Sequence, residues 1–185
     1  MNTIIFIGGI PGTGKTTLAY KLALKYKIDK VISLDTIKNT MKEFINPHDK
    51  YVFTTTHEAC KIESLSVVDG FIKHTRSINS YFKKVINRFI KEKVIIVEGA
   101  TITNEFINSF CNSNIIYINL YIDNKDNLID RYKSKSRMRK GKWIDNIESI
   151  DLINEYLMSQ SLINIESSED SLESVERYID ESIFL

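Results

Sequence analysis

Eight residues near the N-terminus have the types and spacing for chemistry on phosphate. Gly9-Ile10-Pro11-Gly12-Thr13-Gly14-Lys15-Thr16 fits G-x-x-x-x-G-K-[ST], the pattern of a phosphate-binding P-loop. Gly9, Gly12 and Gly14 let the backbone turn tightly and aim its N–H groups at phosphate oxygens. Lys15 is a compact positive charge with the reach for β- and γ-phosphates, and the hydroxyl of Thr16 suits Mg²⁺. Pro11, Thr13 and Thr17 complete the stretch expected to touch the nucleotide. The cofactors this implies are ATP and Mg²⁺.

Two acids and a basic segment extend the reading from binding to transfer. Asp35 follows the apolar run Val31-Ile32-Ser33-Leu34, at the carboxyl end of an expected strand, where open α/β sheets bind ligands. A carboxylate there could accept the proton of an attacking hydroxyl or help position Mg²⁺, and it could also cap the next helix. Glu98 closes Val94-Ile95-Ile96-Val97, the position of a Walker B acid, and Gly99 beside it would allow close approach of a ligand. Residues 131–143 are rich in Arg and Lys. Arg137 and Arg139 are the expected partners of the transferring phosphoryl group, with Arg131 next, because a guanidinium binds phosphate oxygens bidentately. Lys38, Thr55 and Thr56 are candidate acceptor contacts. His57, His74 and Trp143 stand isolated, and no His/Cys pairing with zinc spacing occurs.

These residues need a frame. Five β-branched, nearly continuous apolar runs read as buried parallel strands: Thr3–Ile7, Val31–Leu34, Val94–Val97, Ile115–Ile122 and Leu162–Ile165. Helical periods lie between them. Leu18, Leu22 and Tyr26 repeat at four-residue steps. Tyr81, Phe82, Val85, Ile86, Phe89 and Ile90 form a stripe, as do Ile147, Ile150, Ile153 and Leu157, and Leu172, Val175 and Ile179. Strands alternating with helices predict an α/β fold, a P-loop NTPase three-layer sandwich around a parallel, five-stranded, doubly wound sheet. Residues 50–92 are too long for a simple crossover and are expected to form a helical insertion on the acceptor side. Residues 131–143 are expected to form a lid over the nucleotide. All of this fits one domain over 1–185.

Composition narrows the function classes. The formal net charge is +1, hydrophobic residues make up 43% and charged residues 26%, so no global field calls for nucleic acid or a membrane surface. No apolar run approaches a membrane span. Cys60 and Cys111 are expected as reduced thiols of a cytoplasmic protein. The expected partner is a small-molecule phosphate acceptor; the oligomeric state is not legible.

Beyond the P-loop, the chain resembles the 2-phosphoglycerate kinase family. Ile7-Gly8-Gly9 opens the loop as in that family, and Val31 to Lys38 followed by Met41-Lys42 is similar to its Asp-Ser/Thr-Ile-Arg signature. Thr55-Thr56-His57-Glu58-Ala59 is similar to a Ser-Ser-Tyr-x-Ala segment, and Gly70-Phe71 and the helix before Glu98-Gly99 follow in order. Ile144 to Ile150 and Asn154 to Leu157 resemble its late helix. Lys38 and Lys42 stand where the family has Arg, His57 where it has Tyr, and Asp151 and Asn154 where it has Arg and Gln. The resemblance implies an ATP-dependent kinase acting on a hydroxyl of 2-phosphoglycerate or a similar acidic metabolite. Two other readings stay open: a polynucleotide or tRNA 5′-hydroxyl kinase, from the basic segment, and a non-catalytic ATP-binding regulatory module.

Overall fold

In β1 (Thr3–Gly8) every side chain is buried, and the two-residue period sends Ile4 and Phe6 to one face of a sheet and Ile5 and Ile7 to the other. The structure is a computed structural model that describes residues 2–46, 49–134, 143–168 and 170–183. Its elements run from β1 through α1 (Lys15–Tyr26), β2 (Val31–Ser33), α2 (Leu34–Met41), α3 (Lys50–Phe53) and α4 (Val67–Phe89) to β3 (Val94–Glu98). Then come α5 (Asn104–Ile107), β4 (Asn114–Tyr121), α6 (Lys125–Ser134), α7 (Ile147–Gln160), β5 (Ile163–Glu166) and α8 (Ser171–Ile183). Each expected strand forms within one residue of its predicted ends.

The sheet is parallel throughout, in the order β2-β3-β1-β4-β5. The first crossover carries the chain past the slot that β3 later fills, so the chain reverses direction at β1. That reversal opens a crevice at the carboxyl ends of the central strands. Helices cover both faces. Ile4, Phe6, Ile95 and Val97 pack against Ile78, Phe82 and Ile86 of α4 and against Phe106 and Phe110. Ile5, Ile7, Ile96 and Ile118 pack against Leu18, Ala19 and Leu22 of α1 and Val175 and Ile179 of α8. A third cluster joins Ile10 of the P-loop to Phe71, Leu128, Tyr132, Ile150, Ile153 and Leu157. It seats α4, α6 and α7 around the crevice.

The stretch between β2 and β3 is largely helical. Its long helix α4 starts at Ser66, whose Oγ accepts from the Asp69 N–H. Phe71, His74, Thr75, Ile78, Phe82 and Ile86 recur at three- and four-residue steps and are all buried. His74 is thus a polar residue in an apolar stripe. Ser33, rather than Asp35, caps α2, its Oγ accepting from the Thr36 N–H at 3.4 Å. Asp35 lies in the first turn of that helix and is exposed.

Candidate active site

The loop after β1 is held open by backbone geometry. Gly9, Gly12 and Gly14 have φ of 132°, 88° and 82°, in the region that side-chain-bearing residues avoid. A Cβ on Gly9 would lie 2.2 Å from the Leu120 carbonyl oxygen, and one on Gly12 would lie 2.7 Å from the Tyr132 ring. Gly14 then stands as the N-cap of α1, whose first N–H groups and dipole favour an anion. The Nζ of Lys15 donates to the Ile10 carbonyl at 2.8 Å, and the Thr13 hydroxyl donates to the same oxygen at 3.0 Å. Thr16 and Thr17 are exposed on the first turn.

Two clefts flank this loop. On one side an open cavity of about 360 Å³ reaches from Pro11 to Asp35 and Lys38 of α2, Lys42 at its C-cap, the Thr54–His57 turn, Thr101 and Trp143. On the other, a cleft of about 300 Å³ is lined by Thr13, Gly14, Thr17, Lys21, Arg131 and Ser167, among others. Asp35, Lys38, Thr55 and Thr56, expected as catalytic or acceptor residues, come together in the first. Arg131, expected after Arg137 and Arg139 at the transferring phosphoryl group, lies in the second. Its guanidinium donates to the Ser167 hydroxyl at 2.5 Å and to the Ser167 carbonyl, and the Ser167 hydroxyl donates to the Thr13 carbonyl at 2.7 Å. Arg131 therefore braces the P-loop through Ser167. Arg137 and Arg139, with most of the expected lid, lie outside the described residues.

Glu98 stands between the two halves. In register it faces Ile7 of β1 on one side and Ser33 of β2 on the other, so it links the strand feeding the P-loop to the helix carrying Asp35. It is 1% exposed, and its Oε2 has no hydrogen-bond partner among the described residues. A buried carboxylate oxygen without a partner is costly unless a cation or proton donor completes it. A carboxylate and the hydroxyl of Thr16 are both oxygen donors of the kind Mg²⁺ takes. The loop glycines, Lys15 and the start of α1 equally suit a triphosphate. Gly99 proves to have a packing role, since a Cβ there would fall 2.8 Å from the Leu34 side chain.

Lys38 is the most perturbed cation of the first cavity. It is buried, and its Nζ donates to the Thr54 carbonyl at 2.6 Å and contacts His74 Nε2 at 3.1 Å. Burial, then Lys42, pull its pKa down to about 8, with Asp35 pulling the other way. Burial, and then Lys38, push His74 down to about 3, against a backbone contact with Tyr51. The ring is therefore neutral.

Sequence reasoning missed His74, Thr101, Tyr132 and Ser167. His74 had a signal, since it interrupts the apolar stripe of α4. Thr101 is 2% exposed with a hydroxyl that has no partner among the described residues. Tyr132 donates its hydroxyl to the Pro11 carbonyl, and Ser167 acts over a long sequence separation. Asp151 and Asn154, which differ from the resembled family, do not line the first cavity. Asp151 pairs with Lys125 at 3.3 Å, and Asn154 donates to the Ile122 carbonyl at 3.0 Å.

A P-loop between two clefts, at the carboxyl ends of a parallel 2-3-1-4-5 sheet, defines an α/β P-loop NTPase fold. A family model described as an AAA domain matches residues 5–153, and the chain belongs to that P-loop family. A 2-phosphoglycerate kinase of Pyrococcus furiosus is 29% identical over 168 residues, covering 85% of this chain and 55% of the relative. A mevalonate-3-phosphate 5-kinase of Thermoplasma acidophilum is 27% identical over 128 residues, covering 66% of this chain and 63% of the relative. This chain thus spans just over half the length of the first and under two thirds of the second. A crystal structure of shikimate kinase from Bacteroides thetaiotaomicron matches with a TM-score of 0.56 at 18% identity, covering 99% of both chains, a likeness of fold. Among the described residues no helix is long and apolar enough to cross a membrane.

Proposed function

We propose that the chain is an ATP-dependent kinase that transfers the γ-phosphoryl group to a hydroxyl of a small acidic metabolite, 2-phosphoglycerate or a close analogue. The observation that carries this reading is the cationic cavity beside the P-loop. It brings together Asp35 and Lys38 of α2 and Lys42 at that helix's C-cap, across the P-loop from the cleft that suits the nucleotide. A pure ATP-gated switch has no use for such a cavity, and about 360 Å³ suits a metabolite rather than a polynucleotide. The relatives' names supply the acceptor chemistry, because 2-phosphoglycerate and mevalonate 3-phosphate are both phosphorylated hydroxy acids.

The roles follow from position. Backbone N–H groups of Gly12 to Thr16 and the ammonium of Lys15 would hold the β- and γ-phosphates. Thr16 and Glu98 would hold Mg²⁺, which, when bound, neutralises charge on the phosphate oxygens. Asp35 would orient the acceptor hydroxyl and take its proton as the oxygen attacks phosphorus. Lys38, Lys42 and the Thr55 and Thr56 segment would bind the acceptor's anionic groups, and Arg137 and Arg139 would close over the transferring group. Because a loose transition state leaves little bond-making for the protein to assist, positioning and charge supply most of the acceleration.

The test is a coupled ADP-release screen over phosphorylated and carboxylated hydroxy acids, with 2-phosphoglycerate and mevalonate 3-phosphate first. Acceptor-stimulated ADP release is expected. Stimulation by RNA or DNA 5′-hydroxyl ends alone, or by no acceptor, would overturn the reading.

A further inference from the structure

A lysine buried in a ligand cavity commonly meets a carboxylate, which fixes it and also cancels its charge. Lys38 is 9% exposed and lines the acceptor cavity, yet its side-chain partner is an imidazole. The contact fixes the tautomer. An ammonium has three N–H donors and no acceptor, so the Nε2 of His74 must be the acceptor and its proton must sit on Nδ1. Thr54 O and His74 Nε2 take two of the three donors, and one remains for a ligand in the cavity.

The charges around the pair come from every element packed on it. Asp35 on the same helix and Lys42 at its C-cap flank Lys38 about one turn to either side and line the same cavity. His57 lines it from the turn after α3, and Tyr51 of α3 contacts the His74 ring through its backbone. None of these neutralises Lys38 by a direct ion pair among the described residues.

We propose that His74 is a positioning residue for acceptor recognition: its neutral ring holds the Lys38 ammonium on the cavity wall without cancelling its charge, so that the ammonium binds the acceptor's carboxylate or phosphate. This rests on the kinase reading for the identity of the ligand. The division of labour is then explicit. Asp35 faces the hydroxyl to be phosphorylated, and Lys38, one turn away, holds an anionic group of the same molecule. The Thr101 hydroxyl, buried and without a partner among the described residues, also lines the cavity and offers a further hydrogen bond. Burial holds Lys38 at a pKa of about 8, so the cavity loses this charge as pH rises through that value, and acceptor affinity falls with it.

The experiment is a ¹³C NMR titration of protein labelled at lysine Cε, with the Lys38 signal identified by its absence in Lys38→Arg. 2-Phosphoglycerate serves as the binding probe. The Lys38 midpoint is expected near 8 in the wild type. In His74→Leu the ammonium loses an acceptor, so the midpoint falls by about one unit and the probe binds about tenfold more weakly. His74→Gln, whose amide oxygen can accept the same hydrogen bond, restores both. In the wild type, probe affinity falls between about pH 7.5 and 9, and in Lys38→Arg it does not, because a guanidinium stays charged. Equal midpoints and equal probe affinities in wild type and His74→Leu would overturn the inference. So would a wild-type affinity that stays flat over that pH interval, a result available even if His74→Leu fails to fold. None of these readouts requires turnover, so a failed acceptor screen would overturn the kinase reading without deciding the role of His74.

Discussion

The hydroxyl of Tyr132 donates to the carbonyl of Pro11 at 2.8 Å across 121 positions of sequence. The same ring lies against Gly12, where a Cβ would meet it at 2.7 Å, and it packs on Trp143 with ring centroids 5.0 Å apart and the planes tilted by 44°. Helix α6 is thereby fastened to the apex of the P-loop. Tyr132→Phe keeps the ring and removes the hydrogen bond. The expected result is a KM for ATP raised about fivefold, matching about 1 kcal/mol of lost loop order. Steady-state kinetics check this, and an unchanged KM would show that packing alone holds the loop.

Gly12→Ala should be more severe. It adds a methyl at φ 88° against a ring that is itself fully buried. Strain of about 1–3 kcal/mol is expected in thermal unfolding, together with loss of measurable ATP binding by calorimetry. Gly14→Ala shares the positive φ, but its Cβ would meet only Ser167 Oγ at 3.9 Å, so it should destabilise less.

Asp35 lines the acceptor cavity from the first turn of α2 and touches no loop residue by hydrogen bond among the described residues. Asp35→Asn should leave the ATP dissociation constant within about twofold and lower kcat by about 10²–10⁴-fold. A variant with unchanged kcat would remove Asp35 from the proton-transfer role.

The buried His74 makes an acid-side prediction. Its pKa is about 3 in the fold against 6.5 when exposed, so between those values the unfolded chain binds more protons. Its contribution to stability is therefore complete above pH 6.5 and is lost as pH falls toward 3. Lys38 works on the alkaline side. With a folded pKa of about 8 against 10.5, the cost of burying its charge is relieved as pH rises through that interval. Urea unfolding midpoints measured against pH should fall below pH 6.5 in the wild type and fall less steeply in His74→Gln. Identical slopes between about pH 5 and 6.5, above the range of ordinary carboxylates, would contradict the assignment.

The parts of the molecule legible in sequence are those with a local signature. The P-loop glycines each show the positive φ their type implied, and the apolar runs became strands because a parallel sheet covered on both faces needs nothing else. The misreadings have a common physical cause. Asp35 followed an apolar run and looked like a strand end, but the Ser33 hydroxyl two residues earlier was the better cap. Gly99 looked like room for a ligand and is room for Leu34. Arg131 was legible only as a charge suited to phosphate, whereas Ser167, which ties it to the P-loop, lies 36 residues away and belongs to no periodic pattern. His74 stood alone in sequence because its partner Lys38 is also 36 residues distant, on a different helix.

The central claim is transfer of the γ-phosphoryl group from ATP to the hydroxyl of a small acidic acceptor held beside Asp35. ³¹P NMR of a reaction with ATP, Mg²⁺ and 2-phosphoglycerate tests it most directly. The account predicts a second phosphomonoester signal on the acceptor, growing as ADP forms, from the wild type and only marginally from Asp35→Asn. ADP and free inorganic phosphate appearing together, with no new phosphomonoester on any hydroxy acid supplied, would contradict it.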